Sequence, residues 1–196
     1  NCAVEPEIKD LTNFLNSAGA KIQWLGRTCI IKGVSDLKQT EYSVMSDRIE
    51  AGTFCVAATL AGGNLEIKSL DPRVISTELR LLKKVGAKIK IGKNKINIKG
   101  PSKIKSLNNI KTREFPGIPT DLQAQLMVLM CKAIGKSSIT ENIFENRFMH
   151  VAELQRLGAK ISIKNNKAII DGNTKFIGAE LMSSDLRASV ALVLAA

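Results

Sequence analysis

The chain has 196 residues, of which 44% are hydrophobic and 4% aromatic, and its formal net charge is +11 at pH 7. A chain of this length can bury a substantial core, and length alone permits one large domain or two small ones. No apolar run approaches the roughly 20 residues that cross a bilayer and no signal peptide is evident, so we expect a soluble, cytoplasmic globular protein.

Four scattered cysteines argue against a metal centre or a disulfide framework. No C-x-x-C pair occurs, and the chain has a single histidine, so no zinc site is indicated. Reduced thiols without a catalytic role are therefore expected. The four residues are Cys2, Cys29, Cys55 and Cys131.

The positive charge raises the alternative of a nucleic-acid-binding protein, because lysines crowd between Lys83 and Lys111. These lysines alternate with Ile and Val, as in AKIKIGKNKINIKG, which is typical of a sheet with one solvated face. Aromatic residues are too few for a base-stacking surface. The pattern favours a solvated strand face over a nucleic-acid interface.

A supersecondary unit recurs along the chain. Three times a helix ends at Gly-Ala-Lys-Ile and two short strands follow, and such self-similarity indicates duplication. The glycine is typical of a left-handed helix end, and the alternating residues that follow are typical of strands joined by hairpin turns. The copies are GAKIQWLGRTCIIKG from Gly19, GAKIKIGKNKINIKG from Gly86 and GAKISIKNNKAIIDG from Gly158.

A hydroxyl-Asp pair also recurs, as Ser46-Asp47, Thr120-Asp121 and Ser184-Asp185. The helices that follow these pairs are apolar nearly all round, which predicts burial, whereas PRVISTELRLLKKVG has one apolar stripe and predicts an outer helix. With the strands NLEIKSL and SSITENIF, the unit becomes β-α-β-α-β-β. Several units would bundle their buried helices in parallel, inside the sheets and outer helices.

The repeat is interrupted at both ends of the sequence. The first residues contain only an outer helix and two strands, and the last Asp-led helix stops at Ala196. These ends predict a piece of a larger polypeptide or ordered structure. The best candidate domain junction is Tyr42 to Met45.

Asp121 has a structural and a functional interpretation. An acidic residue in a first helical turn interacts favourably with the helix dipole, and the preceding Thr can cap. Alternatively, parallel buried helices would gather their N-termini at one end, where amide groups attract phosphate. A carboxylate placed there can act as a base towards a bound hydroxyl.

Arg147 and Arg187 invite the same comparison. Either is a surface cation by default, but Arg147 lies in the apolar FENRFMH stretch and Arg187 lies at the start of a predicted buried helix. Desolvated arginine usually has an anionic partner. The candidates are Asp47, Asp185 and Glu145 within the chain, or a substrate phosphate.

Five stretches carry a resemblance to a known family. They are EPEIKDLTNFLNSAGAKI, SDRIEAGTF, FPGIPTDLQAQ, ITENIFENRFMHVAELQRLGA and SSDLRASVALVLA. In these stretches, and along essentially its whole length, the chain resembles the UDP-N-acetylglucosamine 1-carboxyvinyltransferase (MurA, UDP-GlcNAc enolpyruvyl transferase) family. The sister 5-enolpyruvylshikimate-3-phosphate synthases share the repeat but not these strings.

The resemblance implies a fold and a reaction. The fold is two domains of three β-α-β-α-β-β units, each an inside-out α/β barrel, with the active site between them; residues 1–44 would finish one domain and 45–196 would form most of the other. The implied reaction is enolpyruvyl transfer from phosphoenolpyruvate to the 3-hydroxyl of UDP-N-acetylglucosamine, the first committed step of peptidoglycan synthesis. No metal or organic cofactor, no membrane and no nucleic acid are expected.

The resemblance also implies roles for particular residues. Asp121 matches the carboxylate that binds the sugar and removes the 3-hydroxyl proton. Ile143 matches a backbone contact to the nucleotide, with Phe144 and Glu145 beside it. Charged residues near the phosphoenolpyruvate end are matched by Arg147, Asp185 and Arg187, with Asp47 in a supporting network. The family's Lys-Asn pair, its proton-donor loop and a late arginine have no counterpart in these residues.

The sequence thus predicts an enolpyruvyl transferase whose 196 residues alone are inactive, because the missing remainder of the enzyme would carry half of the cleft. A catalytically inactive binding or structural module and a basic nucleic-acid-binding repeat protein are the two alternatives. Loss of the flanking motifs in the parent chain would favour the first, and salt-dependent binding to DNA or RNA the second.

Overall fold

The computed structural model describes residues 2–183 and 186–196, with the side chains of Arg187 and Ala188 excluded. It divides the chain into two compact units, Asn1–Ser46 and Asp47–Ala196. The assignment of 1–44 and 45–196 to two different domains stays a prediction. No helix within the described ranges is long and apolar enough to cross a membrane.

The first unit is a helix followed by an antiparallel hairpin. Helix α1 (Pro6–Ser17) leads into β1 (Lys21–Leu25) and β2 (Thr28–Lys32). The Asn16 amide clamps the start of β1: its Nδ2 donates to the Ile22 carbonyl at 2.8 Å, and its Oδ1 accepts from the Ile22 N–H at 2.9 Å. This clamp fixes how the hairpin leaves the helix.

The second unit contains the repeated elements in the predicted order. Its first copy has a 3₁₀ turn at Pro72–Ile75 before the outer helix, and its second copy has one at Thr120–Leu122 before the buried helix. The helices are α2 (Arg48–Ala61), α3 (Ser76–Lys84), α4 (Gln123–Lys132), α5 (His150–Arg156) and α6 (Leu186–Ala195). The strands are β3 (Asn64–Lys68), β4 (Lys88–Ile91), β5 (Lys95–Lys99), β6 (Ile110–Lys111), β7 (Lys136–Thr140), β8 (Lys160–Lys164) and β9 (Lys167–Asp171).

The two sheets of the second unit share a three-stranded arrangement, in which β7-β9-β8 corresponds to β3-β5-β4, and the second sheet has the additional strand β6. Their strand orders are β3-β5-β4 and β6-β7-β9-β8, and all neighbours are antiparallel except the β6 and β7 pair. From β6 to β9 the order of elements is β-α-β-α-β-β, so the predicted unit is confirmed. The lysines of β4 and β5 lie on the solvated face, as their alternation with isoleucine predicts.

Helix α4 is the centre of the second unit. Every residue from Gln123 to Cys131 is buried, and α2 and α6 both pack against it. The two outermost contacts along α4 show its direction: Gln125 Nε2 donates to Thr53 Oγ1 at 3.1 Å near the helix starts, and Lys132 shares a cavity with Ala61 and Ala195 near the helix ends. The three buried helices are therefore parallel, and the predicted inside-out α/β architecture is confirmed.

Two local predictions were wrong. The strand predicted over SSITENIF ends at Thr140, because the Glu141 side chain accepts the Ile143 and Phe144 N–H groups and turns the backbone away from β9. No side-chain cap is made at Pro119 or Leu122, the N-cap positions before the buried helix, and the Thr120 hydroxyl donates to Glu141. Both differences involve residues in contact with the Glu141 side chain, which lies at the candidate site.

Candidate active site

A cavity of about 800 Å³ opens beside the segment that follows β7. Residues 141–149 form most of its wall, and Ile163, Asn165 and Asn166 from the β8–β9 hairpin complete it. The sequence predicted Ile143, Phe144, Glu145 and Arg147 as site residues, and the structure brings all of them to this cavity.

The cavity wall combines amides, one cation, the two carboxylates of Glu141 and Glu145, and apolar surface. Amide side chains both donate and accept hydrogen bonds, so they suit hydroxyl and carbonyl groups of a ligand. The four asparagines in the wall are Asn142, Asn146, Asn165 and Asn166. Such a mixture fits a polar ligand that also carries a ring or another apolar portion.

Arg147 supplies the cation. Its guanidinium carbon lies 4.7 Å from the centre of the Phe144 ring, and the side chain is half-buried while the ring is 53% exposed. Stacking of this kind holds the guanidinium plane and leaves its N–H edge available to an anion. The predicted pairing with Glu145 is not seen in the described part of the chain, where Glu145 is exposed.

Glu141 organises the turn that forms the cavity wall. Its carboxylate is only 2% exposed, and its Oε1 accepts from Thr112 Oγ1 at 2.7 Å, from the Ile143 N–H at 2.8 Å and from the Phe144 N–H at 3.3 Å. The second oxygen, Oε2, accepts from Thr120 Oγ1 at 2.9 Å. One buried carboxylate therefore joins the cavity wall to two chain segments, the first carrying Thr112 and the second carrying Thr120.

Asp121 lies in the second of these segments. It is the middle residue of the Thr120–Leu122 turn, directly before α4, and is half-buried. Asp121 does not line the cavity, but its neighbour Thr120 donates a hydrogen bond to Glu141, and Glu141 does line it. Parallel α2 and α4 place the N-terminal turn of α2 against the same segment, where Gly52 faces the Leu122 side chain.

Of the remaining predicted site residues, Asp47 is described in full by the structure, whereas Asp185 and the side chain of Arg187 are not. Asp47 is exposed and caps α2, because its Oδ1 accepts from the Ile49 N–H at 2.7 Å and the Glu50 N–H at 3.0 Å. Asp185 lies outside the described residues, and so does the side chain of Arg187.

Sequence reasoning named Asn146, beside Glu145 and Arg147, but missed Glu141 and the other three asparagines of the wall, Asn142, Asn165 and Asn166. The available signal for Glu141 was an acidic residue inside the predicted strand SSITENIF, directly after the β-branched Ile139 and Thr140. Its partners lie 29 and 21 residues away in the chain, so the hydrogen bonds themselves could not be seen from spacing. Among the described side chains, no group of three or more His, Cys, Asp or Glu could hold a metal ion.

Comparison with known proteins places these features in a family context. The sequence profile of EPSP synthase (3-phosphoshikimate 1-carboxyvinyltransferase) matches residues 1–196. The UDP-N-acetylglucosamine 1-carboxyvinyltransferase of Pelagibacter ubique is 63% identical over 197 residues, covering 100% of this chain and 47% of the relative. Its namesake from Geotalea uraniireducens is 48% identical over 196 residues, with 100% and 47% covered. The chain thus spans about half the length of the curated relatives it matches.

Solved structures show the same fold. The enolpyruvyl transferase NikO from Streptomyces tendae superposes with a TM-score of 0.85 at 26% identity, covering 98% of this chain and 47% of that one. EPSP synthase from Acinetobacter baumannii gives a TM-score of 0.70 at 22% identity, covering 94% and 46%, which shows likeness of fold alone.

Proposed function

The chain belongs to the EPSP synthase family, and from this membership we propose that its protein transfers the enolpyruvyl group of phosphoenolpyruvate to the 3-hydroxyl of UDP-N-acetylglucosamine. The observation that carries the proposal is the 63% identity, over the whole chain, with a relative named for that reaction. The product would enter peptidoglycan synthesis in the cytoplasm, as its first committed intermediate.

The cavity chemistry supports a sugar nucleotide as ligand. The asparagine amides suit sugar hydroxyls and base carbonyls, and the Phe144 ring offers a surface for stacking. The Ile143 N–H already donates to Glu141, so the Ile143 carbonyl is the main-chain group left to meet the ligand. This residue would therefore accept a hydrogen bond from a ligand hydroxyl or N–H.

Asp121 is proposed as the general base. Its carboxylate removes the proton of the sugar 3-hydroxyl while the hydroxyl oxygen bonds to C2 of phosphoenolpyruvate, and C3 takes a proton from a donor outside these residues. The tetrahedral adduct then loses phosphate: the bond between C2 and the phosphate oxygen breaks, and C3 gives up a proton, which restores the double bond between C2 and C3. All atoms and electrons are supplied by the two substrates, so the chemistry needs no metal or organic cofactor.

Charged residues at the phosphoenolpyruvate end support this base. Arg187 and Arg147 would neutralise the phosphate and carboxylate charges of phosphoenolpyruvate, and Asp185 would orient the attacked carbon. Asp47 would hold the start of α2 in this network through its two main-chain hydrogen bonds.

Replacing Asp121 by Asn tests the proposed base. The amide keeps the size of the carboxylate but cannot take up a proton, so we expect kcat to fall roughly 100-fold to 10,000-fold. The loss of stability should stay within about 1 kcal/mol, which is the usual value of a capping group. Phosphate release and melting temperature are measured on the protein expressed from its complete reading frame.

Asp71→Asn is the matched control. Asp71 is the N-cap residue of the 3₁₀ turn before α3, where its carboxylate accepts from the Arg73 N–H at 2.9 Å and pairs with the Arg73 guanidinium, and it does not line the cavity. We expect kcat within about twofold of the unchanged protein, because the loss of these local contacts does not alter the transition state. Near-normal turnover of Asp121→Asn would return Asp121 to a structural role.

A further inference from the structure

The buried Glu141 carboxylate is bonded more extensively than the fold of its own turn requires. A carboxylate that is 2% exposed is costly unless its oxygens are fully hydrogen-bonded. The turn at 143–144 supplies two main-chain donors, and the other two donors are threonine hydroxyls from distant segments. Glu141 is therefore a junction between segments.

One side of the junction is closed and rigid. Thr112 is fully buried; its hydroxyl donates to Glu141 Oε1 at 2.7 Å and accepts from the Asn142 N–H at 2.8 Å. The Asn166 amide adds a bond to the Glu141 carbonyl at 3.0 Å. These bonds hold Glu141 and the cavity wall as one body.

The other side reaches the segment that carries Asp121. Thr120 Oγ1 donates to Glu141 Oε2 at 2.9 Å. The residues at the two N-cap positions, Pro119 and Leu122, make no side-chain cap. The hydrogen bond from Thr120 therefore ties the segment before α4 to a residue 21 positions further along the chain.

We propose that Glu141 is a positioning residue, which sets Asp121 against the Ile143–Phe144 turn through the Thr120 hydroxyl. The inference rests on the proposed function, in which Asp121 is the base and the turn meets the sugar nucleotide. The base and the ligand contact then keep a fixed separation, because both are attached to one buried carboxylate. Misplacement of a catalytic group by about 1 Å can slow a reaction about 100-fold.

Thr120→Val breaks the junction without touching Asp121 or Glu141. Valine has the shape of threonine but no hydroxyl, whereas Thr120→Ser keeps the donor and serves as the rescue variant. Thr59→Val is the matched control, because Thr59 Oγ1 is buried and donates to the Cys55 carbonyl at 2.8 Å within α2. We expect kcat of Thr120→Val to fall about 10-fold to 100-fold with KM within about threefold, and Ser to restore it.

A second measurement does not depend on turnover. Hydrogen exchange of the Ile143 and Phe144 amides, followed by NMR, should accelerate about tenfold in Thr120→Val, because Glu141 loses one of its anchors. Thr120→Ser and Thr59→Val should leave both amides as protected as before. Acceleration in all three variants would show general loosening and would overturn the junction.

The outcomes separate this inference from the proposed function. If Thr120→Val keeps kcat within twofold, or if Thr59→Val slows turnover equally, Glu141 is no more than a stabilising residue and the inference is wrong. If the unchanged protein shows no turnover, the proposed function fails. The exchange data then decide the junction alone: selective, serine-rescued acceleration supports it, and unchanged protection overturns it.

Discussion

Arg147 is the residue whose chemistry is most specific in the cavity wall. Its planar guanidinium lies over the Phe144 ring at 4.7 Å, so the ring and the cation support each other. Lysine would keep the charge but lose the planar stacking and the forked pair of donors that match a phosphate. A change from Arg147 to Lys is therefore not conservative at this position.

Two of the four thiols, those of Cys55 and Cys131, are expected to be unreactive because they are buried. Burial raises the pKa of Cys55 and of Cys131 from 9.0 to about 12, and the nearby Glu78 carboxylate adds to the shift at Cys55. Because the reactive species is the thiolate, these residues should resist alkylation, whereas the exposed Cys2 and half-exposed Cys29 should react.

Alkylation with iodoacetamide at pH 8 tests this prediction. Peptide mapping should show modification of Cys2 and Cys29 in the folded protein, and of Cys55 and Cys131 as well in denaturant. Since the folded-state pKa lies above the unfolded value near 9.0, the contribution of Cys55 and Cys131 to stability is complete below pH 9 and is lost progressively towards pH 12. Labelling of Cys131 in the folded chain would contradict the burial that causes both effects.

Residue chemistry was only partly predictable from the sequence. Asp47 and Asp121 follow a hydroxyl residue in the same way, and local spacing treats them alike. The structure separates them because Asp47 caps its helix, whereas Thr120 before Asp121 is drawn to Glu141. A hydrogen bond between residues 21 positions apart leaves no local pattern in the sequence. The sequence therefore could not tell that Asp121, unlike Asp47, follows a residue bonded to the cavity wall, and its catalytic role could only be proposed.

At the level of elements, local patterns predicted most of the second unit. Helix ends at Gly86 and Gly158 and the hairpins after them depend on neighbours in the chain, and these predictions are confirmed by φ values of +116° and +93°. The two-residue strand β6 has no such pattern, since it exists through its parallel pairing with β7. The hydrogen bonds that form the turn after Thr140 are local, but the partners that keep the Glu141 carboxylate buried, Thr112 and Thr120, lie far along the chain, so the turn was missed.

Gly100 and Gly172, which directly follow β5 and β9, lie where each sheet approaches the end of a buried helix, α2 and α4 respectively. A Cβ added at Gly172 would lie 1.9 Å from the Ala133 carbonyl oxygen, and one added at Gly100 would lie 2.4 Å from the Ala58 carbonyl oxygen. We expect Gly172→Ala and Gly100→Ala to lower the free energy of unfolding by about 1–3 kcal/mol or more, because backbone must move.

Gly63→Ala is the control in the same unit. A Cβ at Gly63 would meet nothing within 4 Å and the residue does not need a left-handed φ, so stability should stay within about 1 kcal/mol. Denaturant unfolding of the three variants gives the comparison. Equal stability of Gly172→Ala and Gly63→Ala would mean that the sheet does not approach the helix end as closely as described.

At the level of the whole molecule, the charge of +11 creates a field that any polyanion will feel. The lysines of β4 and β5 are exposed, and Lys88 and Lys99 lie opposite each other in the register. Lys95 of β5 and Lys68 of β3 pair with the Glu66 carboxylate of β3, whose pKa is lowered chiefly by hydrogen bonding to Lys68. This arrangement supplies charge without stacking rings or a shaped groove.

Binding to DNA should therefore be weak and governed by salt. We expect fluorescence anisotropy to detect association at about 50 mM salt that falls by at least about 1,000-fold at 200 mM, in the manner of counterion release. Two duplexes of equal length and different sequence should bind alike. Tight binding that persists at physiological salt and prefers one duplex would favour a nucleic-acid role over the proposed enzyme.

The position of the lysines has a consequence for how copies of the protein meet. In the two sheets of the second unit, β3, β4, β6 and β8 are edge strands, and an edge offers unpaired N–H and C=O groups to any other extended chain. All four edges carry exposed lysines: Lys68 on β3, Lys88 and Lys90 on β4, Lys111 on β6, and Lys160 and Lys164 on β8. A second copy that tried to extend either sheet would place ammonium groups against ammonium groups. The charge that contributes nothing to the proposed chemistry would thus protect the protein from cross-β aggregation while it is being synthesised and concentrated.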